Sequence, residues 1–192
     1  MQTLQISTLL NREFKTVVAV LESEGETRCT DALLLSWVKH EKQFRRLFSY
    51  LIYRQNVFSY SNRKKVDGAI QKNKNLDWRT LKLKINKLCS TNISALVGER
   101  HSALNEKIGK IGRYRNKIMH GQLSGDNISV ETLINDAQIL VDWMDLLGAG
   151  AIEHFGYDGI ERQTYCKAMQ KKESIEVYEK FKSFEDLMKF IS

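Results

Sequence analysis

Residues 30–58 read TDALLLSWVKHEKQFRRLFSYLIYRQNVF and predict a long helix at the centre of the core. Thr30 or Asp31 can cap its start, because either side chain can accept a hydrogen bond from a free N–H of the first turn. Apolar residues recur at helical spacing: Leu33, Leu34, Trp37, Val38, Phe44, Leu47, Phe48, Leu51 and Ile52. A helix this long and apolar is expected to pack against several others.

Further helices are predicted on both sides of this segment. They cover residues 3–24, 77–90, 93–97 and 99–120. A last core helix is predicted to begin after Ser129, which caps it, and to loosen at its end near Gly148 or Gly150. In residues 77–90, Leu81, Leu83 and Ile85 alternate as in a strand, but Trp78, Leu81, Ile85 and Leu88 fit a helix, which we favour. Residues 59–76 are expected to form a loop with at most one helical turn around 66–70.

The sequence therefore predicts an all-α fold. Proline, which breaks the interior of a helix, is absent from the chain, so long helices are possible. We expect an up-and-down four-helix bundle over residues 1–153. Residues 154–192 would form a C-terminal extension packed on the bundle, with a loop through FGYDGIERQTY and one or two short helices over 174–191.

Composition limits the class of protein. Hydrophobic residues make up 42% and charged residues 28%, as in globular domains. The formal charge of +7 suits a polyanionic partner such as RNA, but also many ordinary proteins. The three cysteines have no metal-binding spacing, and neither a signal peptide nor a membrane-spanning run is visible. We expect a cytoplasmic protein with reduced thiols, no membrane contact, no metal and no cofactor.

The stretch with chemical potential is RYRNKIMHG, residues 113–121. Arg113, Asn116 and His120 share one face of a helix, because their spacings of three, four and seven residues return to that face. Arg115 falls near the apolar face, so it must reach solvent or meet a polar cleft or a second subunit. Gly121 is placed as a C-terminal cap, and the negative end of the helix dipole would favour protonated His120.

An imidazole beside guanidinium groups can cleave RNA without a metal. Histidine can remove the proton of the 2′-hydroxyl near neutral pH, and arginine can stabilise charge on the phosphoryl oxygens. The same residues on a helix are also compatible with a solvated face or a capping arrangement. Geometry alone leaves both interpretations open.

The string RNKIMHG, residues 115–121, resembles the signature of the HEPN superfamily, in which a polar residue follows an arginine and four to six residues separate that arginine from a histidine. Arg115 fits with Asn116 in the polar position, and Arg113 fits by spacing alone. The resemblance covers roughly residues 1–150. It implies a homodimeric, metal-independent endoribonuclease with a composite active site, acting as a toxin or in phage defence, with an antitoxin as a possible partner.

The resemblance also suggests roles for individual residues. Arg115, Asn116 and His120 would be catalytic, with Glu41 from the second helix in support. The remaining candidates would contact RNA or its phosphates: Arg113, Tyr114, Lys117, Arg45 and Arg46. Two alternatives stay open, a non-catalytic HEPN-like module that binds a protein or nucleotide, and a helical RNA-binding or scaffold protein with a chance motif.

Overall fold

The computed structural model describes residues 3–121, 128–161 and 180–192, and within these ranges all regular structure is helical. The prediction of an all-α fold is confirmed to that extent. Among these residues, no helix combines the length and apolarity needed to cross a membrane. The α-helices are α1 (Asn11–Glu22), α2 (Arg28–Tyr53), α3 (Arg63–Lys72), α4 (Trp78–Leu88), α5 (Ile93–Val97), α6 (His101–Met119), α7 (Val130–Phe155) and α8 (Phe184–Ile191). Short 3-10 turns occupy Tyr60–Asn62 and Gly98–Arg100.

The chain divides into two compact units. The first contains Met1–His40 and Val97–Leu146, and the second contains Glu41–Leu96 and Leu147–Ser192. Helices α2 and α7 contribute residues to both units. The predicted domain boundary at residues 153 and 154, and the four-helix topology, stay predictions.

The first unit buries the apolar faces of α1, α2, α6 and α7. Its core residues include Phe14, Val17, Leu33, Trp37, Leu104, Ile108, Ile111, Leu133, Leu140 and Trp143. Gly112 marks the place where α6 meets α2, because a Cβ atom added there would lie 2.7 Å from Cη2 of the Trp37 indole. A larger residue at 112 would therefore require the indole to move.

The second unit is built around the later turns of α2. Its buried residues include Phe44, Leu47, Phe48, Leu51, Trp78, Leu81, Ile85, Phe155, Tyr157 and Ile191. The Tyr50 hydroxyl donates to the Phe155 carbonyl at 2.8 Å, so the one polar atom of this buried ring is satisfied. Gly150 of α7 lies against the Leu96 carbonyl, whose oxygen would be 2.2 Å from an added Cβ.

Several predicted elements are confirmed, including helices at 77–90 and 93–97 and the Ser129 cap, whose Oγ accepts from the Thr132 N–H at 3.1 Å. Helix α1 begins at Asn11 and not at residue 3. Before it, Gln5 exchanges two hydrogen bonds with the Gln138 side chain at 2.8 and 3.0 Å. Those bonds satisfy backbone groups that a helix would otherwise use.

Three other predictions of element bounds were wrong. Helix α2 begins at Arg28, so Thr30 and Asp31 lie inside it and do not cap it. It ends at Tyr53 and not at residue 58, because the next two N–H groups, of Arg54 and Gln55, bond back only three residues, as in a turn. Residues 63–72 form the ten-residue helix α3, whose buried Val66 and Ile70 supply an apolar face that the basic composition obscured. Helix α7 continues past Gly148 and Gly150 to Phe155, because Ala151 and Phe155 prolong its buried face. Of the predicted closing helices, α8 is described, whereas residues 162–179 lie outside the described ranges.

Candidate functional site at the end of helix α6

The motif occupies the last two turns of α6 and the residue that caps them. Arg113, Asn116, Lys117 and His120 are exposed. Tyr114 and Arg115 are half-buried. The shared face of Arg113, Asn116 and His120 is thus open to solvent in the chain, which gives a ligand access to all three side chains.

The backbone around His120 is fixed by hydrogen bonds that close the helix. The His120 N–H donates to the Asn116 carbonyl at 3.1 Å, and the Gly121 N–H donates to the Ile118 carbonyl at 3.0 Å. Gly121 has a φ of +66°, a left-handed conformation that glycine adopts without a Cβ clash. The predicted glycine cap is confirmed, and it anchors the residue that carries the imidazole.

Arg115 is placed by an aromatic ring and a neighbouring amide. Its Cζ lies 5.3 Å from the centroid of the Trp37 ring, within the range of a cation–π interaction. Its Nη1 donates to Oδ1 of Asn116 at 2.8 Å. Trp37 is only 2% exposed, so the indole is a fixed platform for the guanidinium. This arrangement explains how an arginine near the apolar face of α6 avoids being buried alone.

Trp37 is a site residue that the sequence did not reveal. It was predicted as a core residue of the long helix, and it is one. Its second role, as the ring on which Arg115 stacks, depends on the close approach of α6 to α2 at Gly112. The apolar periodicity of each helix does not indicate where the two helices approach each other. The only signal was Gly112 itself, one turn before Arg115 in a helix where glycine costs about 1 kcal/mol relative to alanine.

A second missed residue, Asp136 of α7, contacts the motif through Tyr114. The Tyr114 hydroxyl donates to the Asp136 carboxylate. Burial raises the pKa of Asp136 to about 6, and the positive charge of Lys107 partly opposes that rise. A carboxyl group with a pKa in this range exchanges its proton close to neutral pH, which is common at functional sites. Tyr114 therefore has a partner in the first unit, whereas base stacking remains only a prediction.

The three candidates from the middle of α2 belong to the second unit. Arg45 donates from Nη1 to the Ile70 carbonyl at 3.0 Å and from Nη2 to the Leu76 carbonyl at 2.8 Å. It would have to give up these bonds to bind a phosphate, so its role in the structure is to hold the chain between α3 and α4. Glu41 and Arg46 are half-buried, and their predicted roles stay predictions.

His40 lies in the core of the first unit. Its ring centroid is 5.6 Å from that of Trp37 and 6.3 Å from that of Trp143. Burial lowers the pKa of His40 to about 3, so the ring is neutral at physiological pH. His40 therefore supports the indole under Arg115 from the side of the core.

The end of α6 thus presents an imidazole, two guanidinium groups, an ammonium group and an amide within eight residues. Such a set can bind an anion. In the part of the chain that the structure describes, no group of three or more His, Cys, Asp or Glu residues could hold a metal ion. No protein-family model, curated protein or solved structure matches this chain.

Proposed function

We propose that this chain is a HEPN-type endoribonuclease that cleaves RNA without a metal, as a cytoplasmic toxin or phage-defence effector. One observation supports the proposal above the others: Arg115 and His120 both lie at the end of α6, where the Arg115 guanidinium and the His120 backbone are held in place. Arg115 stacks over Trp37 and bonds to Asn116, whereas His120 belongs to the hydrogen-bonded cap that Gly121 completes. A preorganised guanidinium is one of the groups that phosphoryl chemistry requires.

In the proposed reaction His120 removes the proton of a ribose 2′-hydroxyl. The freed O2′ attacks the adjacent phosphorus while the bond from phosphorus to the 5′-oxygen breaks. The 5′-oxygen takes a proton, supplied in a dimer by a second, protonated His120. The products are a 2′,3′-cyclic phosphate and a 5′-hydroxyl. Arg115 stabilises the charge that develops on the phosphoryl oxygens, and Asn116 keeps its guanidinium oriented.

Two exposed cations of the motif itself, Arg113 and Lys117, would position the substrate. Arg113 lies one turn before Asn116 on the same face, and Lys117 follows Asn116 directly. Both can contact phosphates that flank the cleaved bond. The homodimer, the four-helix HEPN topology and an antitoxin partner are parts of the same proposal.

Cleavage of a labelled RNA in excess EDTA tests the proposal. The wild-type chain is expected to cut, and His120→Ala and Arg115→Ala are each expected to lose on the order of 100-fold or more in rate. His154→Ala and Arg12→Ala are matched controls, since they remove the same residue types outside the motif. Cutting that persists in His120→Ala, or that falls equally in the controls, would contradict the assignment.

A non-catalytic HEPN-like module is the alternative function, and one observation favours it. The Arg115 guanidinium already has two partners within its own chain, Trp37 and Asn116, as a purely structural arginine would. Such a module would bind a protein or a nucleotide at the exposed face of α6 without turnover. RNA or nucleotide binding that depends on Arg113 and Lys117, with no cleavage by the wild-type chain, would select this alternative.

A further inference from the structure

The positive charge of this chain is concentrated in one segment of the second unit. Glu41–Leu96 contains 13 lysines and arginines and 3 acidic residues, a balance of +10. The whole chain carries +7, so all its other residues together carry −3. The motif of α6 lies in the first unit and is not part of this segment. A charge asymmetry of this size indicates a polyanionic partner for the segment itself.

The connection between α3 and α4 presents part of this charge to solvent. Lys72, Lys74 and Arg79 are exposed there, and we name these three residues the basic corner. Asp77 is the one acidic residue among them. Its carboxylate accepts from the Thr80 N–H at 2.8 Å, which makes it the N-cap of α4. The acid is therefore engaged at the helix terminus, and the three cations face solvent.

The backbone of the basic corner is fixed from two sides. Arg45 donates to the Ile70 and Leu76 carbonyls, which lie on either side of Lys72 and Lys74. Asn73 donates to the carbonyls of Ile191 and Ser192 at 3.1 and 2.9 Å, and its Oδ1 accepts from the Asn75 N–H at 2.9 Å. The backbone that carries these cations is thus already ordered, which lowers the conformational entropy that is lost when they bind a ligand.

The exposed face of α4 continues this basic surface and contains a single apolar residue. Arg79, Leu83 and Lys87 recur every four residues and are all exposed. A helix that binds a membrane presents a broad apolar face, and one leucine between two cations does not supply it. These features fit a nucleic acid better than a lipid surface.

We propose that the basic corner, extended by Lys87, is a second binding surface that holds the sugar-phosphate backbone of RNA. The choice of RNA over DNA rests on the proposed function, whereas the contact with phosphates does not. Each cation that neutralises a phosphate of a single strand adds about 0.7 to the slope of log affinity against log salt. Three such contacts therefore account for a slope of about 2 and, at 0.1 M salt, on the order of 100-fold in affinity.

Fluorescence anisotropy with a labelled 20-nucleotide RNA tests this surface. The full chain carries His120→Ala throughout, so that the RNA stays intact. The test variant is Lys72→Gln, Lys74→Gln, Arg79→Gln. The control is Arg12→Gln, Lys15→Gln, Lys110→Gln, which removes the same charge from exposed positions of the first unit. Circular dichroism and thermal melting compare the folding of the two variants.

The test variant is expected to bind RNA 10- to 100-fold more weakly than its parent, with a salt slope lower by about 2. The control variant is expected to lose less than about 3-fold in affinity. Unchanged binding in the test variant, or an equal loss in both, would overturn the proposal. DNA of the same sequence should bind within a few-fold of RNA, and failure of DNA to bind would overturn backbone recognition. Binding of phosphatidylserine vesicles through these residues, with none of RNA, would also overturn it.

The two proposals can fail separately. If the wild-type chain never cuts RNA but the test variant loses binding, the second surface stands and the ribonuclease assignment fails. If the wild-type chain cuts RNA but both variants bind equally, the ribonuclease assignment stands and the second surface is overturned.

Discussion

Replacing Gly112 with alanine tests the contact that places the Arg115 platform. The added Cβ would lie 2.7 Å from Cη2 of Trp37 and 3.4 and 3.5 Å from Cζ2 and Cζ3. The first distance is too short for two carbon atoms, so the indole or α6 must shift. Because Trp37 is 2% exposed, no open space receives the ring.

The magnitude follows from two opposed terms. Overpacking of this kind costs roughly 1–3 kcal/mol, while alanine gains about 1 kcal/mol over glycine inside a helix. Gly68→Ala in α3 isolates the second term, because nothing lies within 4 Å of its added Cβ. Gly112→Ala should therefore be less stable than Gly68→Ala by the overpacking term alone, about 1–3 kcal/mol.

Thermal and urea unfolding, followed by circular dichroism, measure this difference. For a chain of this size each kcal/mol corresponds to roughly 2–4 °C in Tm. Gly68→Ala should melt slightly above the wild-type chain, and Gly112→Ala below Gly68→Ala. Equal stabilisation by the two substitutions would refute the close contact of α6 with Trp37 and, with it, the account of how Arg115 is held.

Three further predictions concern packing and titration. Gly150→Ala should lower the free energy of unfolding by roughly 3 kcal/mol or more, the upper end of what overpacking costs. The added Cβ would meet the Leu96 carbonyl, which is backbone and cannot rotate away as a side chain can. A variant that unfolds at or above the wild-type Tm would contradict this. His40 has a folded pKa of about 3, below its ordinary 6.5, so the unfolded chain binds the extra proton between these values and stability falls as pH drops through that window. The slope is at most about 1.4 kcal/mol per pH unit, and urea titrations of His40→Phe should show a shallower fall than those of the wild type. Asp136 has a folded pKa of about 6, above its ordinary 3.8, so its contribution is fully present below pH 3.8 and is lost as pH rises through 6. Asp136→Asn should therefore gain stability relative to the wild type between pH 4 and pH 7, and a difference that does not change with pH would count against the raised pKa.

Apolar periodicity was sufficient to predict most of the helices. Leu81, Ile85 and Leu88, for example, are buried on one face of a helix, as their spacing predicted. The alternative interpretation of this segment as a strand was wrong. The glycine cap at Gly121 was also predictable, because a helix that ends there needs a left-handed residue. These are local signals, carried by residues close together in the chain.

Signals that depend on tertiary contacts were not predictable. Gln5, in the stretch predicted as the start of the first helix, bonds instead through its backbone to the side chain of Gln138, more than 130 positions away. The ring beneath Arg115 and the carboxylate beside Tyr114 likewise come from other helices. The sequence indicated the chemistry of the site, whereas the partners that orient its side chains required the fold.

The chemistry of the cut RNA ends tests the central claim most directly. Purified wild-type protein is incubated in excess EDTA with an RNA and with its fully 2′-O-methylated counterpart, and mass spectrometry identifies the new ends. We expect 2′,3′-cyclic phosphate and 5′-hydroxyl ends from the RNA, an intact methylated strand, and no cleavage by His120→Ala. Ends that carry 5′-phosphate and 3′-hydroxyl groups, or cleavage of the methylated strand, would contradict the proposal that His120 activates a ribose hydroxyl.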